Sequence, residues 1–268
     1  MYVLNMDKRN YWLIIMLMIK DVSEDAISSD ELQSIAKMIA DAVAGKKPLE
    51  MLTPEKARLF DKNSSSFLSP KSRELKKIED RMIAGTDCDM AIRIYQPHSD
   101  KSELPGLVFF HGGDSAGGNL ATVICLKCRD EKLSPPASQL LLYPVTDAFS
   151  ETNSKKDYAD GLLLTSSAMN WFHGHYLESS EQAKNPYVYP LRAKNLVGLP
   201  LALVITAGFD PLRDEGLAYG NRLGAAGVNV THSCYTSMIH GFMFFAGGIP
   251  QRGEDIKESA RFLERTLS

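Results

Sequence analysis

An α/β architecture with a mostly parallel sheet is what this sequence predicts, on three observations. Short continuous apolar runs recur at Leu107-Val108-Phe109-Phe110, Gln139-Leu140-Leu141-Leu142-Tyr143 and Leu201-Ala202-Leu203-Val204-Ile205, the pattern of strands buried on both faces. Helical stretches at residues 119–131, 166–177, 213–226 and 252–267 lie between and after them, and strands alternating with helices imply a sheet covered on both sides. The chain's 268 residues, 44% hydrophobic and 24% charged, are enough to bury a real core.

The first long apolar run, Tyr11 to Ile19, follows Lys8 and Arg9 and so has two parts of a secretory signal. It lacks the third, because Lys20, Asp21, Glu24 and Asp25 follow with no small-x-small cleavage site. Its nine residues fall far short of the roughly 20 a membrane-spanning helix needs. The expectation is an N-terminal helix packed on the domain, or in weak contact with a surface. Ser28-Ser29-Asp30-Glu31 has capping-box spacing, and Leu32, Ile35, Ala36, Ile39, Ala40 and Val43 continue as a helical stripe that stops at Gly45. Thr53-Pro54 reads as an N-cap with proline at the first helical position, opening a short helix to about Phe60. After a loop to Pro70, strands are expected around Lys76 to Ile83 and Met90 to Tyr95, joined by Ala84-Gly85-Thr86-Asp87. Another is expected over Val228 to Tyr235, with Gly227 capping the helix before it.

Charge excludes some functions. With 30 Lys+Arg against 33 Asp+Glu, no basic surplus exists for phosphate neutralisation, so no nucleic-acid partner is expected. Cys88, Cys125, Cys128 and Cys234 are too few and too scattered for a disulfide framework, which makes a reducing cytoplasm the expected location.

The chemistry concentrates in Gly113-Asp114-Ser115-Ala116-Gly117, a Gly-x-Ser-x-Gly sequence with an expected strand before it and an expected helix after it. That setting makes a nucleophile elbow, whose small residues permit a strained turn holding the serine hydroxyl proud of the sheet. A serine hydroxyl needs a base, and the base needs a carboxylate to orient it. Asp210, just past the Leu201 to Ile205 strand, and His240, just past the Val228 to Tyr235 strand, fall at the edge where open α/β sheets build their sites. Asp147, after another strand end, is the alternative acid.

From Gly106 to the C-terminus the chain resembles the hormone-sensitive-lipase-like branch of the α/β-hydrolase esterases and lipases. The resemblance rests on Gly113-Asp114-Ser115-Ala116-Gly117-Gly118-Asn119-Leu120-Ala121, Leu142-Tyr143-Pro144, Asp210-Pro211-Leu212-Arg213-Asp214-Glu215-Gly216 and His240-Gly241-Phe242. It implies Ser115 as nucleophile, His240 as general base and acid, and Asp210 as the residue orienting it. It also implies hydrolysis of short to medium acyl esters without cofactor or metal, and a helical cap over the acyl pocket. The expected division is residues 1–70 as N-terminal segment and cap, and residues 71–268 as the catalytic domain. The expected partners are a small-molecule ester and, beyond it, a second copy of the chain.

One departure from the family has physical consequences. The family carries a His-Gly-Gly-Gly oxyanion loop after one strand and reaches its nucleophile elbow only after further strands and helices. Here Phe110-His111-Gly112-Gly113 runs straight into Asp114-Ser115, and parallel neighbours need a crossover of a dozen or more residues. One strand must serve both roles, and the sheet is expected to be shorter by about two strands. The oxyanion-hole candidates are Ala116, Gly112 and Gly113: Ala116 can still donate its N–H, while donors that the family brings from a separate loop cannot stand opposite it in the usual way. Loss of one such donor costs roughly 10²–10³ in rate. A non-catalytic small-molecule-binding member, or a truncated inactive one, is therefore the alternative.

Other residues have plainer readings. His111 is a remnant of the oxyanion motif, and Asp114 packs locally. Cys125-x-x-Cys128 lies inside one helix with no partner pair at zinc spacing, so buried structural thiols are expected. His173-x-His175 reads as helix surface, and Asp214 with Glu215 as charges suited to a helix N-terminus.

Overall fold

The computed structural model describes residues 48–58, 74–85, 88–101, 103–110, 115–147, 149–160, 162–244 and 252–267. Strands β1 (Lys77–Ile83) and β2 (Met90–Gln96) form an antiparallel hairpin in which Lys77 faces Gln96 and Ile83 faces Met90. The guanidinium of Arg93 grips Asp80 across the strands at 2.6 and 2.8 Å. Helix α1 (Ser115–Asp130) precedes β3 (Ser138–Leu142). Two capped helices follow, α2 (Asn153–Asp157) and α3 (Ser166–Tyr176), whose N-cap threonines Thr152 and Thr165 each accept a backbone N–H three residues on. Then come β4 (Leu201–Phe209), α4 (Arg213–Ala225), β5 (Val230–Ile239) and α5 (Arg252–Leu267).

The second sheet runs β3-β4-β5, with both pairings parallel. Strand β4 is central, and its alternation sorts the core into two layers. Ala202 and Val204 pack with Leu126, Leu141, Tyr219 and Leu223 beneath α1 and α4. Leu203, Ile205 and Ala207 pack with Leu142, Met238, Ile239 and Phe262 on the α5 side. A strand with both faces under helices has no place for polar alternation, which is why it reads as one apolar run. At the end of α4 the Val228 N–H donates to the Leu223 carbonyl at 3.1 Å, across Gly227 at φ +82°. That is the left-handed cap expected of this glycine.

The structure corrects one element. Leu107–Phe110 belongs to no strand, and its neighbours Val108 and Phe109 are 49% and 45% exposed. Adjacent residues in a doubly buried strand point to opposite covered faces. Here Leu107 and Phe110 are only partly buried and the two residues between them are exposed, and among the described residues the parallel sheet stops at β3. The apolar run has the composition of a buried strand without the covering layers that would make it one. At residues 54–58 the expected short helix is present, and Lys56 N–H reaches Thr53 Oγ1 at 3.5 Å. The Tyr11 to Ile19 run and the Leu32 to Val43 stripe lie outside the described residues. Among those described, no helix is long and apolar enough to cross a membrane.

Candidate active site

Two strand ends and one helix start meet at the carboxyl edge of the parallel sheet. Beyond β4, the carboxylate of Asp210 is fully buried and accepts two hydrogen bonds. Leu212 N–H donates to Oδ1 at 2.8 Å, which fixes the side chain against the start of α4. The other oxygen, Oδ2, lies 2.8 Å from His240 Nδ1. His240 leaves β5 through Gly241, whose φ of +73° takes the left-handed turn that returns the chain to the core at Phe242. The imidazole is nearly buried and packs edge-on against Tyr143, ring centres 4.8 Å apart.

Tyr143 closes β3 and opens a strap that runs to Asp147. Its N–H donates to the Ile205 carbonyl at 2.6 Å, and its φ of +34° is a conformation that a bulky side chain rarely adopts. Pro144 is wedged between two helices through their glycines. A Cβ on Gly118 of α1 would stand 2.9 Å from Pro144 Cβ, and one on Gly216 of α4 would stand 3.5 Å from its Cδ. Val145 N–H donates to the carbonyl of Ser115 at 3.1 Å. Asn119, one turn along α1, returns the grip by donating to the Val145 and Val188 carbonyls, each at 2.9 Å.

Ser115 is therefore the first residue of α1 and is tied to the strap that carries Tyr143 against His240. Ala116 follows in the first helical turn, where backbone N–H groups have no intrahelical acceptor. His111, Gly112, Gly113 and Asp114 lie outside the described residues. Asp147 does not stand on His240: its carboxylate accepts from Arg192 Nε and Nη2 at 3.1 and 2.9 Å and from Phe149 N–H at 3.2 Å.

Two groups depart from their sequence readings. His173 is half-buried rather than at the surface, with Nδ1 2.7 Å from the Tyr189 hydroxyl, and burial lowers its pKa. Glu215 is not a solvated first-turn charge. It is fully buried, and Oε1 accepts Thr146 N–H at 2.6 Å and Asp147 N–H at 3.1 Å, while Lys155 Nζ stands 2.7 Å from Oε2. Burial raises its pKa to about 7. The signal was in the spacing, since Glu215, Tyr219 and Leu223 form a stripe four residues apart that faces the core. Cys125 is buried within α1, which pushes its thiol up to about 12. Among the described residues, no cluster of three His, Cys, Asp or Glu side chains could hold a metal ion.

A family model for the alpha/beta hydrolase fold matches residues 70–244. The chain is 46% identical over 152 residues to the carboxylic ester hydrolase LipN of Mycobacterium tuberculosis, covering 54% of this chain and 40% of that protein. Over 158 residues it is 37% identical to the carboxylesterase NlhH of the same organism, covering 58% and 50% respectively. It thus spans half or less of the length of these curated relatives. The crystal structure of a thermostable esterase from Pseudomonas putida superimposes with a TM-score of 0.80 at 27% identity, covering 92% of this chain and 99% of that one.

Proposed function

The chain belongs to the alpha/beta hydrolase fold family, and from that premise we propose that it is a serine-dependent carboxylic-ester hydrolase acting on short to medium acyl esters. The observation that carries the reading is the buried Asp210–His240 pair, set at the same sheet edge as the head of the helix that Ser115 begins. In this mechanism Ser115 Oγ attacks the acyl carbonyl while His240 Nε2 takes its proton. Asp210 accepts from Nδ1–H, holds the productive tautomer and stabilises the imidazolium that forms. The carbonyl oxygen becomes an oxyanion, for which Ala116 N–H is the donor, joined by Gly112 and Gly113. Collapse of the tetrahedral species breaks the bond to the alcohol, which leaves with the proton held by His240. Water, deprotonated by the same imidazole, then attacks the acyl-enzyme, and the carboxylic acid departs as Ser115 recovers its proton.

The same reading makes residues 1–70 a cap over the acyl pocket and residues 71–268 the catalytic domain, in a cytoplasmic protein able to form a homodimer. One observation favours a second reading. Without a strand at Leu107–Phe110 the elbow lacks the support its family gives it, as a non-catalytic binding member would. Hydrolysis of p-nitrophenyl esters from acetate to decanoate separates the two. The proposal expects turnover that Ser115→Ala abolishes; a folded protein that binds these esters without serine-dependent turnover contradicts it.

A further inference from the structure

We infer that Glu215 is a positioning residue for Ser115, clamping the Tyr143–Asp147 strap that joins the head of α1 to the Asp210–His240 pair. The inference deepens the esterase reading and rests on it for its kinetic consequences. Two N–H donors and one cation converge on this buried carboxylate: the Thr146 and Asp147 N–H groups bind Oε1, and the Lys155 ammonium pairs with Oε2. Thr146 Oγ1 adds a fourth link by donating to the Glu215 carbonyl at 3.0 Å. Lys155 Nζ also donates to the Asp147 carbonyl at 2.8 Å and to Ser150 Oγ at 3.1 Å, so α2 and α4 hold the strap together.

The donor set specifies the residue. Two N–H donors and an ammonium, with no acceptor among them, fit a carboxylate, which has only lone pairs and negative charge to offer. A glutamine could accept the two backbone N–H groups through its oxygen, but its amide would meet the lysine donor to donor. The clamp matters because of what it holds. Val145, between wedged Pro144 and clamped Thr146, is the residue whose N–H binds the Ser115 carbonyl. At the strap's other end Tyr143 packs on His240. Where a strand leading into the elbow would fix the serine from its N-terminal side, Leu107–Phe110 forms none, and the strap fixes it from the other side.

The test compares Glu215→Ala, Glu215→Gln and, as a buried core control on the same helix, Leu223→Ala. Two readouts are taken: the rate of fluorophosphonate labelling at Ser115, and hydrogen exchange at the Val145 amide. A displacement near 1 Å costs on the order of a hundredfold in rate, so Glu215→Ala should slow labelling by about 10–100-fold. Val145 exchange should rise about tenfold in the same variant, with Glu215→Gln intermediate in both readouts and Leu223→Ala within about twofold of the parent. If Glu215→Ala does not fold, Glu215→Gln against Leu223→Ala carries the same comparison. Variants at Glu215 that match Leu223→Ala in both readouts overturn the inference. A parent protein that does not label refutes the esterase reading instead, and Val145 exchange still decides the clamp.

Discussion

Asp210→Asn is the substitution whose outcome the geometry determines most completely. Leu212 N–H stands 2.8 Å from Oδ1, so the asparagine must place its carbonyl oxygen there. Its amide nitrogen then takes the place of Oδ2, 2.8 Å from His240 Nδ1. Two donors cannot share that contact, so Nδ1 becomes the acceptor and the imidazole proton moves to Nε2. The nitrogen that should take the serine proton then has no lone pair to offer. A wrong tautomer in a serine triad costs about 10⁴ in kcat, or roughly 5 kcal/mol of transition-state stabilisation. The folded state loses little, because every backbone donor keeps an acceptor, and stability should change by under about 1 kcal/mol. Asp210→Ala removes the acceptor from both donors and should cost about 1–3 kcal/mol of stability per buried group. The assay is kcat on a p-nitrophenyl ester beside a urea denaturation curve. A folded Asp210→Asn protein within about tenfold of the parent's kcat would refute the reasoning.

Three further outcomes follow from the same contacts. Gly118→Ala places a Cβ 2.9 Å from Pro144 Cβ and 3.2 Å from its Cα, and the backbone cannot step aside; thermal unfolding should show a loss of about 1–3 kcal/mol, with slower serine labelling because the strap moves. Burial raises the Glu215 pKa from 4.5 to about 7, despite the opposing pull of Lys155, so the folded state binds the extra proton between those values. Its contribution to stability is full below pH 4.5 and is lost as pH rises through about 7, so the fall in unfolding free energy with pH that urea curves show across that window should be absent from Glu215→Gln. Titration of native protein with a thiol-reactive disulfide at pH 8 should modify exposed Cys88 and Cys234 quickly and Cys128 slowly, with Cys125 reacting only after unfolding.

How far the sequence could be read depended on whether a signal was local. The β4 run, the Gly227 cap and the strand-end positions that bring Asp210 to His240 were legible because each depends on its immediate neighbours or on the edge where strands of an α/β sheet end. Leu107–Phe110 is the converse case: four apolar residues specify a strand only beside flanking strands and under covering helices, and among the described residues the parallel sheet ends at β3 without reaching them. Glu215 satisfied a helix-dipole rule so well that its place on the Tyr219–Leu223 stripe went unused. His173 carries no such local signal, because its hydrogen-bond partner, the Tyr189 hydroxyl, lies 16 residues away in another element. The strap itself carried no signal, since Tyr143-Pro144-Val145-Thr146-Asp147 is held by partners on α1, α2 and α4 that only the folded chain assembles.

Ester hydrolysis by this chain requires Ser115 to be an activated nucleophile although no strand forms at Leu107–Phe110. Intact-mass measurement after exposure to a fluorophosphonate, with peptide mapping and Ser115→Ala as control, tests it without a choice of substrate. One adduct per chain is expected, located on Ser115 and absent from the variant. A well-folded parent that takes up no label, or labels equally with Ser115 replaced, would contradict it.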